Sequence, residues 1–295
     1  MSQSERVSQL LEGAVDLHVH SGPGLIPRSL DHVEAAREAM AAGMRALAVK
    51  DQHSMTGNAV YFINNYIIKD EPFDVFAGLV LNNAAGGLNP NVVDAAIKYG
   101  AKIVWMPTSS ARNHIEIHKR MESSFPHTKE KLFPETPLTI LDEKGEILPQ
   151  VRQICSLIAQ ADIILGTGHL HLSEIKVLVD EAQKAGVRRI LMQHPEFLVE
   201  APIDDQIELA RKGVWIEHSL ALFLSGACKK EYLVEMIKGV GAEYTTLGSD
   251  LGQVTNPRPV AGIRTCVQYL LENGIKDEEI DLMLRKNPAS LVNLE

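Results

Sequence analysis

The stretch Val15–Ser29, "VDLHVHSGPGLIPRS", is a short apolar run that closes on two histidines one residue apart and passes into a glycine- and proline-bearing loop. Such a run, bounded by Gly and Pro, reads as a buried β-strand. Strict alternation along it puts Asp16, His18 and His20 on one face and Val15, Leu17 and Val19 on the other. Two imidazoles on one face can grip one ion. The loop decides between two architectures. An open doubly wound sheet usually follows its first strand with G-x-G-x-x-G, and "HSGPGLIPRS" does not match that pattern.

Working outward, seven further β-rich runs recur: "MRALAVKDQH", "DVFAGLVLNN", "AKIVWMPTSS", "DIILGTGHLH", "RRILMQHPEF", "VWIEHSL" and "YTTLGSD". Between them lie segments with helical spacing, among them "SLDHVEAAREAMAAGM", "NVVDAAIKYGA", "LSEIKVLVDEAQKAGV" and "DDQIELARKGV". Strands alternating with amphipathic helices are the signature of parallel βα units, and eight of them close naturally into a (β/α)8 TIM barrel. One domain over residues 1–295 is expected. The irregular segment lies after the fourth strand, from Ser109 to about Gln150, and is too long for an ordinary connection. Within it, "LTILDEKGEILP" reads as a small hairpin around Glu143-Lys144-Gly145, in an insertion of the kind that forms a lid or a subunit contact.

Composition narrows the function classes. The chain has 295 residues, is 45% apolar and carries a formal charge of −9, which disfavours nucleic acid and anionic membrane as partners. No run has the apolar length of a membrane span, and the opening "MSQSERVSQLLEGA" lacks a basic region followed by an apolar one, so a cytoplasmic location is expected. Cys155, Cys228 and Cys266 are odd in number and widely spaced, which suits buried small hydrophobes better than disulfides or a thiolate metal site. A small-molecule substrate and a homo-oligomeric state are expected.

Function in such a barrel sits at the C-terminal ends of the strands. There the chain places His18 and His20, then Lys50 with His53 beyond, His169, His194 and Asp250. Neutral imidazoles with a carboxylate suit zinc or another divalent transition metal, and a catalytic ion keeps one position open for water.

H-x-H on the first strand, single histidines on the fifth and sixth and an aspartate on the eighth resemble the amidohydrolase superfamily of metal-dependent hydrolases. The resemblance spans nearly the whole chain, including "NPASLVNL" at the C-terminus. The combination "DLHVHSGP", "GGLNP", "VWMPTSSARNH" and "SDLGQ" is similar to a less characterised branch of it. The resemblance implies His18, His20, His169 and His194 as ligands of one or two ions, with zinc ahead of manganese or iron. It implies Asp250 as a fifth metal contact and as the proton-transfer residue. One departure stands out: members with two metals usually carry a carboxylated lysine on the fourth strand, where this chain has Pro107, Thr108, Ser109 and Ser110. Lys50 ends the second strand instead, as a substrate-binding cation, an ion-pair partner or an unusual ligand.

The remaining histidines divide. His169 is preferred over His171 because "LSEI" looks like a helix start; His53 and His114 are possible second-metal or substrate contacts. His118 reads as solvated, and His32 and His127 as surface residues. Glu217 and His218 are adjacent, so only one can face the barrel centre. Arg28 and Arg258, in loops after ligand-bearing strands, are candidates to hold a substrate carboxylate by two parallel hydrogen bonds. The expected reaction is hydrolysis of an amide, cyclic amide or ester by hydroxide that a bound cation supplies at neutral pH, with Asp250 moving the proton. The alternatives are a one-metal decarboxylase of an aromatic or unsaturated acid, and a non-catalytic metal-binding barrel. A phosphoesterase that also starts with H-x-H would need a late Asp-x-His, which "SDLGQ" lacks.

Overall fold

The computed structural model describes residues 2–121 and 128–294. Eight parallel strands run in sequence order: β1 Val15–Val19, β2 Ala46–Val49, β3 Asp74–Val80, β4 Ala101–Trp105, β5 Ile164–Gly166, β6 Ile190–Gln193, β7 Val214–Ser219 and β8 Thr245–Gly248. They are the eight runs expected from the sequence, and they form a (β/α)8 barrel. The ring is completed just beyond β8, where the Asp250 N–H donates to the His18 carbonyl at 2.7 Å and the His20 N–H to the Leu251 carbonyl at 2.8 Å.

Helices α1 Gln3–Leu11, α2 His32–Ala41, α3 Gly57–Phe62, α4 Pro90–Lys98, α5 Arg112–Met121, α6 Pro149–Ala161, α7 Leu172–Lys184, α8 Ile203–Arg211, α9 Leu220–Leu224, α10 Lys230–Val240, α11 Pro259–Glu272, α12 Asp277–Asp281 and α13 Asn287–Leu291 accompany the strands. Their starts are chemically marked. Asp31 caps α2 with Glu34 reaching back, and α4 opens on Pro90 behind the cap Asn89. His171 caps α7, which removes it from the barrel mouth and leaves His169 there, in line with the helix start read from "LSEI".

Two apolar layers position the site. Outward-facing strand residues such as Leu47, Val75, Val104 and Ile216 pack beneath the helices. Inside the barrel Val15, Leu17, Ala46, Ala48, Phe76, Ile103, Trp105, Ile164 and Leu191 meet, with Leu291 and Val292 at the C-terminus joining them. Trp105 fills the centre because β3 and β5 carry glycine beside it: a Cβ at Gly78 or Gly166 would lie 2.2 or 2.3 Å from the indole.

The first strand departs from strict alternation. Asp16 pairs with Leu47 but Val19 with Val49, so β1 spends three steps where β2 takes two. This β-bulge turns Asp16 outward, beside Val19, while Val15, Leu17 and then His18 face the interior. The Asp16 carboxylate pins the bulge by accepting from the His18 and Ser249 amides at 3.1 and 3.0 Å, and burial raises its pKa to about 6.

The segment after β4 is less irregular than its sequence suggests, since α5 occupies its start. The hairpin is present, with Leu141 bridging Ile147 and the Gly145 N–H closing on the Asp142 carbonyl. His127 lies outside the described residues. Cys155 and Cys266 are buried and unpaired as expected, whereas Cys228 is half-buried. Among the described residues no helix is long and apolar enough to cross a membrane.

Candidate metal centre

Three donors converge at the top of the barrel. His18 Nε2 and His20 Nε2 lie 3.1 and 3.0 Å from the same oxygen, Asp250 Oδ1. His18, His20 and Asp250 are all buried, and their donor atoms lie within 4.8 Å of one another. The opposite nitrogens settle the tautomers. His18 Nδ1 is 2.7 Å from Glu217 Oε1 and His20 Nδ1 is 2.9 Å from the Lys50 carbonyl, both acceptors, so each Nδ1 carries the proton. Each Nε2 of a neutral ring therefore turns a lone pair on the Asp250 carboxylate. That arrangement repels unless a cation or an extra proton stands between, and it is the donor chemistry a divalent ion requires.

The surrounding charges bear the marks of this crowding. Burial opposes charge on His18, yet the Asp250 and Glu217 carboxylates outweigh it and raise its pKa to about 9. Burial and the neighbouring Arg28 push His20 down to about 3. Burial would raise the Asp250 carboxyl, but His18 and His20 hold it well below the usual carboxylate range. Burial brings Lys50 down to about 8; its Nζ lies 3.0 Å from His18 Nε2 and 5.3 Å from the centre of the Trp105 ring.

His194 and His169 complete the ring of imidazoles. His194 follows β6 directly with φ of 56°, packs edge-on against His18 and His169, and pairs Nδ1 with Ser219 Oγ at 2.9 Å, which leaves Nε2 without a hydrogen-bond partner among the described residues. His169 Nδ1 lies 2.8 Å from His114 Nδ1, which joins His114 to the centre from α5 rather than from a loop. Gly168 makes this approach possible, since a Cβ there would lie 2.3 Å from the Met106 carbonyl. Burial depresses both His169 and His194 well below the ordinary imidazole value.

The donors open on a cavity of about 270 Å³ whose lining includes His20, Lys50, His169, His194, Asp250 and Arg28. The other sequence candidates fall elsewhere. Arg258 is exposed and engaged by Glu38 and Glu34 outside the cavity. His53 does not line it and lies 3.9 Å from Asp51. Two expectations are corrected. His118 is half-buried, packs its ring tilted against that of His114 at 4.3 Å and lines the cavity, because it follows His114 by one helical turn. His32 is buried rather than at the surface, bonded to Ser21 Oγ at 2.7 Å. Glu217, not His218, faces the centre; His218 turns toward Glu196.

A family model described as a family of unknown function (DUF6282) matches residues 13–217, from the approach to β1 through Glu217. The chain belongs to that family. No curated protein matches it. Among solved structures it is similar to an amidohydrolase from Pseudomonas aeruginosa, with a TM-score of 0.66, 13% identity and coverage of 99% of this chain and 98% of that one. It is likewise similar to the probable dipeptidase PvdM from Pseudomonas aeruginosa (TM-score 0.65, 9% identity, 98% and 97% covered). A phosphotriesterase homology protein from Escherichia coli, solved with phosphate in its active site, matches with a TM-score of 0.59 and 14% identity over 95% and 98% of the two chains. The likeness to amidohydrolases expected from the sequence is thus present in the fold.

Proposed function

We propose that the chain is a metal-dependent hydrolase that cleaves an amide, cyclic amide or ester bond of a small molecule, with zinc, manganese or iron at the His18–His20–Asp250 centre. The observation that carries this reading is the convergence of His18 Nε2 and His20 Nε2 on one carboxylate oxygen of Asp250, at 3.1 and 3.0 Å. The names borne by the structural neighbours, amidohydrolase and probable dipeptidase, favour hydrolysis.

A divalent cation held there would acidify water and polarise a substrate carbonyl. The chain's own groups do the rest. Asp250, held below the usual carboxylate range, is ionised at neutral pH and takes the proton from the attacking water. It then returns that proton to the leaving nitrogen or oxygen. Glu217 and the Lys50 carbonyl fix the rings of His18 and His20, and Ser219 fixes that of His194. A soluble, cytoplasmic homo-oligomer acting on a small molecule is the setting we infer.

A one-metal decarboxylase is the second reading, favoured by β4, which ends on Trp105 and is followed by Met106 and Pro107 with no ligand-type side chain. Two measurements test the proposal. Elemental analysis should find about one or two ions per chain, lost when His18 and His20 are both changed to alanine, with a fall in melting temperature. A screen of amides, lactams, esters and carboxylic acids should yield hydrolysis. Metal content unchanged by the double substitution would refute the centre; release of carbon dioxide without hydrolysis would select the decarboxylase.

A further inference from the structure

Resting on that reading of the centre, we propose that the cavity takes a small organic acid, its carboxylate held by Arg28 and its apolar body lying against Phe197, Leu198 and Leu222. Arg28 lines the cavity and is half-buried. Its Nη2 donates to Gln52 Oε1 at 3.1 Å and lies 3.4 Å from His20 Nδ1. Among the described residues no carboxylate comes within 4.0 Å of it, and Asp51 and Asp250 act on it only from farther away. Half-buried Arg6 and exposed Arg188 and Arg258 of the same chain each have such a partner. A guanidinium drawn out of water without an anion is costly, and its planar fork matches the two oxygens of a carboxylate.

The rest of the cavity says what the acid is attached to. Phe197 and Leu198 come from the loop after β6, Ala221 and Leu222 from α9, and Ile26 stands two residues before Arg28 on the loop after β1. These side chains supply the apolar part of a lining whose cations are Arg28 and Lys50, and Lys50 is drawn to His18 at 3.0 Å. At about 270 Å³ the space lies below the roughly 300–1,000 Å³ of drug-sized pockets, so the ligand is small. Arg28 and Asp250 touch opposite nitrogens of one ring, His20. The carboxylate therefore sits a few bonds from the group that is cleaved. Gln52 spends its amide oxygen on Arg28 and keeps its NH2 as a further donor.

Calorimetric titration of metal-loaded protein with 3-phenylpropanoate, its uncharged amide 3-phenylpropanamide, and propanoate tests this. The aryl acid should bind at least about tenfold more tightly than either comparator, and Arg28→Gln should erase the advantage of acid over amide. Equal affinity for acid and amide, or an Arg28→Gln variant that melts like the wild type and keeps the advantage, would overturn the proposal. So would failure of the acid to bind. The acid–amide comparison on wild-type protein needs no variant and decides the matter if Arg28→Gln does not fold. Repeating it after chelation separates the two readings. An advantage that vanishes with the metal and ignores Arg28 leaves the centre standing and sinks this proposal. An advantage that depends on Arg28 in protein that never carried metal does the reverse.

Discussion

Changing Glu217 to glutamine isolates the link between the barrel wall and the metal seat. Glu217 and His18 are buried to 1% and 0% residual exposure, and the bond between Oε1 and Nδ1 is 2.7 Å long, short as charge-assisted bonds are. Glutamine keeps an acceptor of the same reach, so the ring stays in place, but it removes the negative charge that makes Nε2 a stronger donor to a cation. Outer partners of this kind are typically worth about 10–100-fold in metal affinity, or about 1.4–2.7 kcal/mol. The metal-free fold should suffer little once the pH is above about 9, where His18 is neutral and its charged pairing with Glu217 is already gone. Glu217 Oε2 is buried with no hydrogen-bond partner among the described residues, so the substitution breaks no second bond. The assay is a chelator competition for zinc on wild type and Glu217→Gln, with circular-dichroism melts of both proteins in metal-free buffer above about pH 9, where His18 is neutral. A drop in zinc affinity of about tenfold or more, at nearly constant metal-free melting temperature, is expected. Unchanged zinc affinity in a folded variant would refute the claim that Glu217 acts through His18 on the ion.

Asp250→Asn keeps a carbonyl oxygen at the centre but cannot carry a proton, so it should retain most metal and lose turnover by about a hundredfold or more on any substrate the screen yields. Undiminished turnover in a metal-loaded variant removes Asp250 from the proton route. In metal-free protein, His18 has a folded pKa of about 9, above its ordinary 6.5. Its charged pairing with Asp250 and Glu217 therefore stabilises the fold fully below pH 6.5 and is lost as pH rises toward 9. Melting temperature of chelated protein, followed across that range, should fall, and the fall should be absent in His18→Ala. Gly252 has φ of 126°, and a Cβ there would lie 1.5 Å from the His20 carbonyl oxygen. Gly252→Ala should cost more than about 4 kcal/mol and abolish soluble expression or a cooperative melt; a near-normal melting temperature would show that this seam yields.

The barrel was legible because each strand is a short apolar run bracketed by helical periodicity, and neither signal depends on contacts far along the chain. His18, His20, His169, His194 and Asp250 were legible for the same reason, since strand ends define the mouth. Orientation was not. The bulge in β1 is set by pairing with β2, which no property of "VDLHV" announces, and strict alternation consequently put Asp16 on the wrong face. Glu217 and His218 are adjacent, and only the register of β7 against β6 and β8 decides which enters the barrel. α5 was hidden by its composition, with polar and charged residues around Ile115 and Ile117. Its i, i+4 histidines, His114 and His118, were the one signal that a single face reaches the site. Arg28 and Arg258 looked equivalent until their partners were known: one has none within ion-pair range among the described residues, the other has two glutamates.

The residues that build the centre also close the barrel, which makes fold and site hard to separate. Asp250 takes a left-handed backbone, φ of 51°, that non-glycine residues adopt only under constraint. Its amide is held by the His18 carbonyl at 2.7 Å and its own carbonyl accepts from Gln253 Nε2 at 2.6 Å, so the peptides on both sides of the residue are fixed. Ser249 adds a bond from Oγ to the same His18 carbonyl at 3.1 Å. The seam between β8 and β1 thus sets the separation between Asp250 Oδ1 and the two imidazoles. On this account, a lesion that loosens the seam opens the metal seat before it unfolds the barrel: metal affinity falls first, while the outer helix–strand layers remain packed.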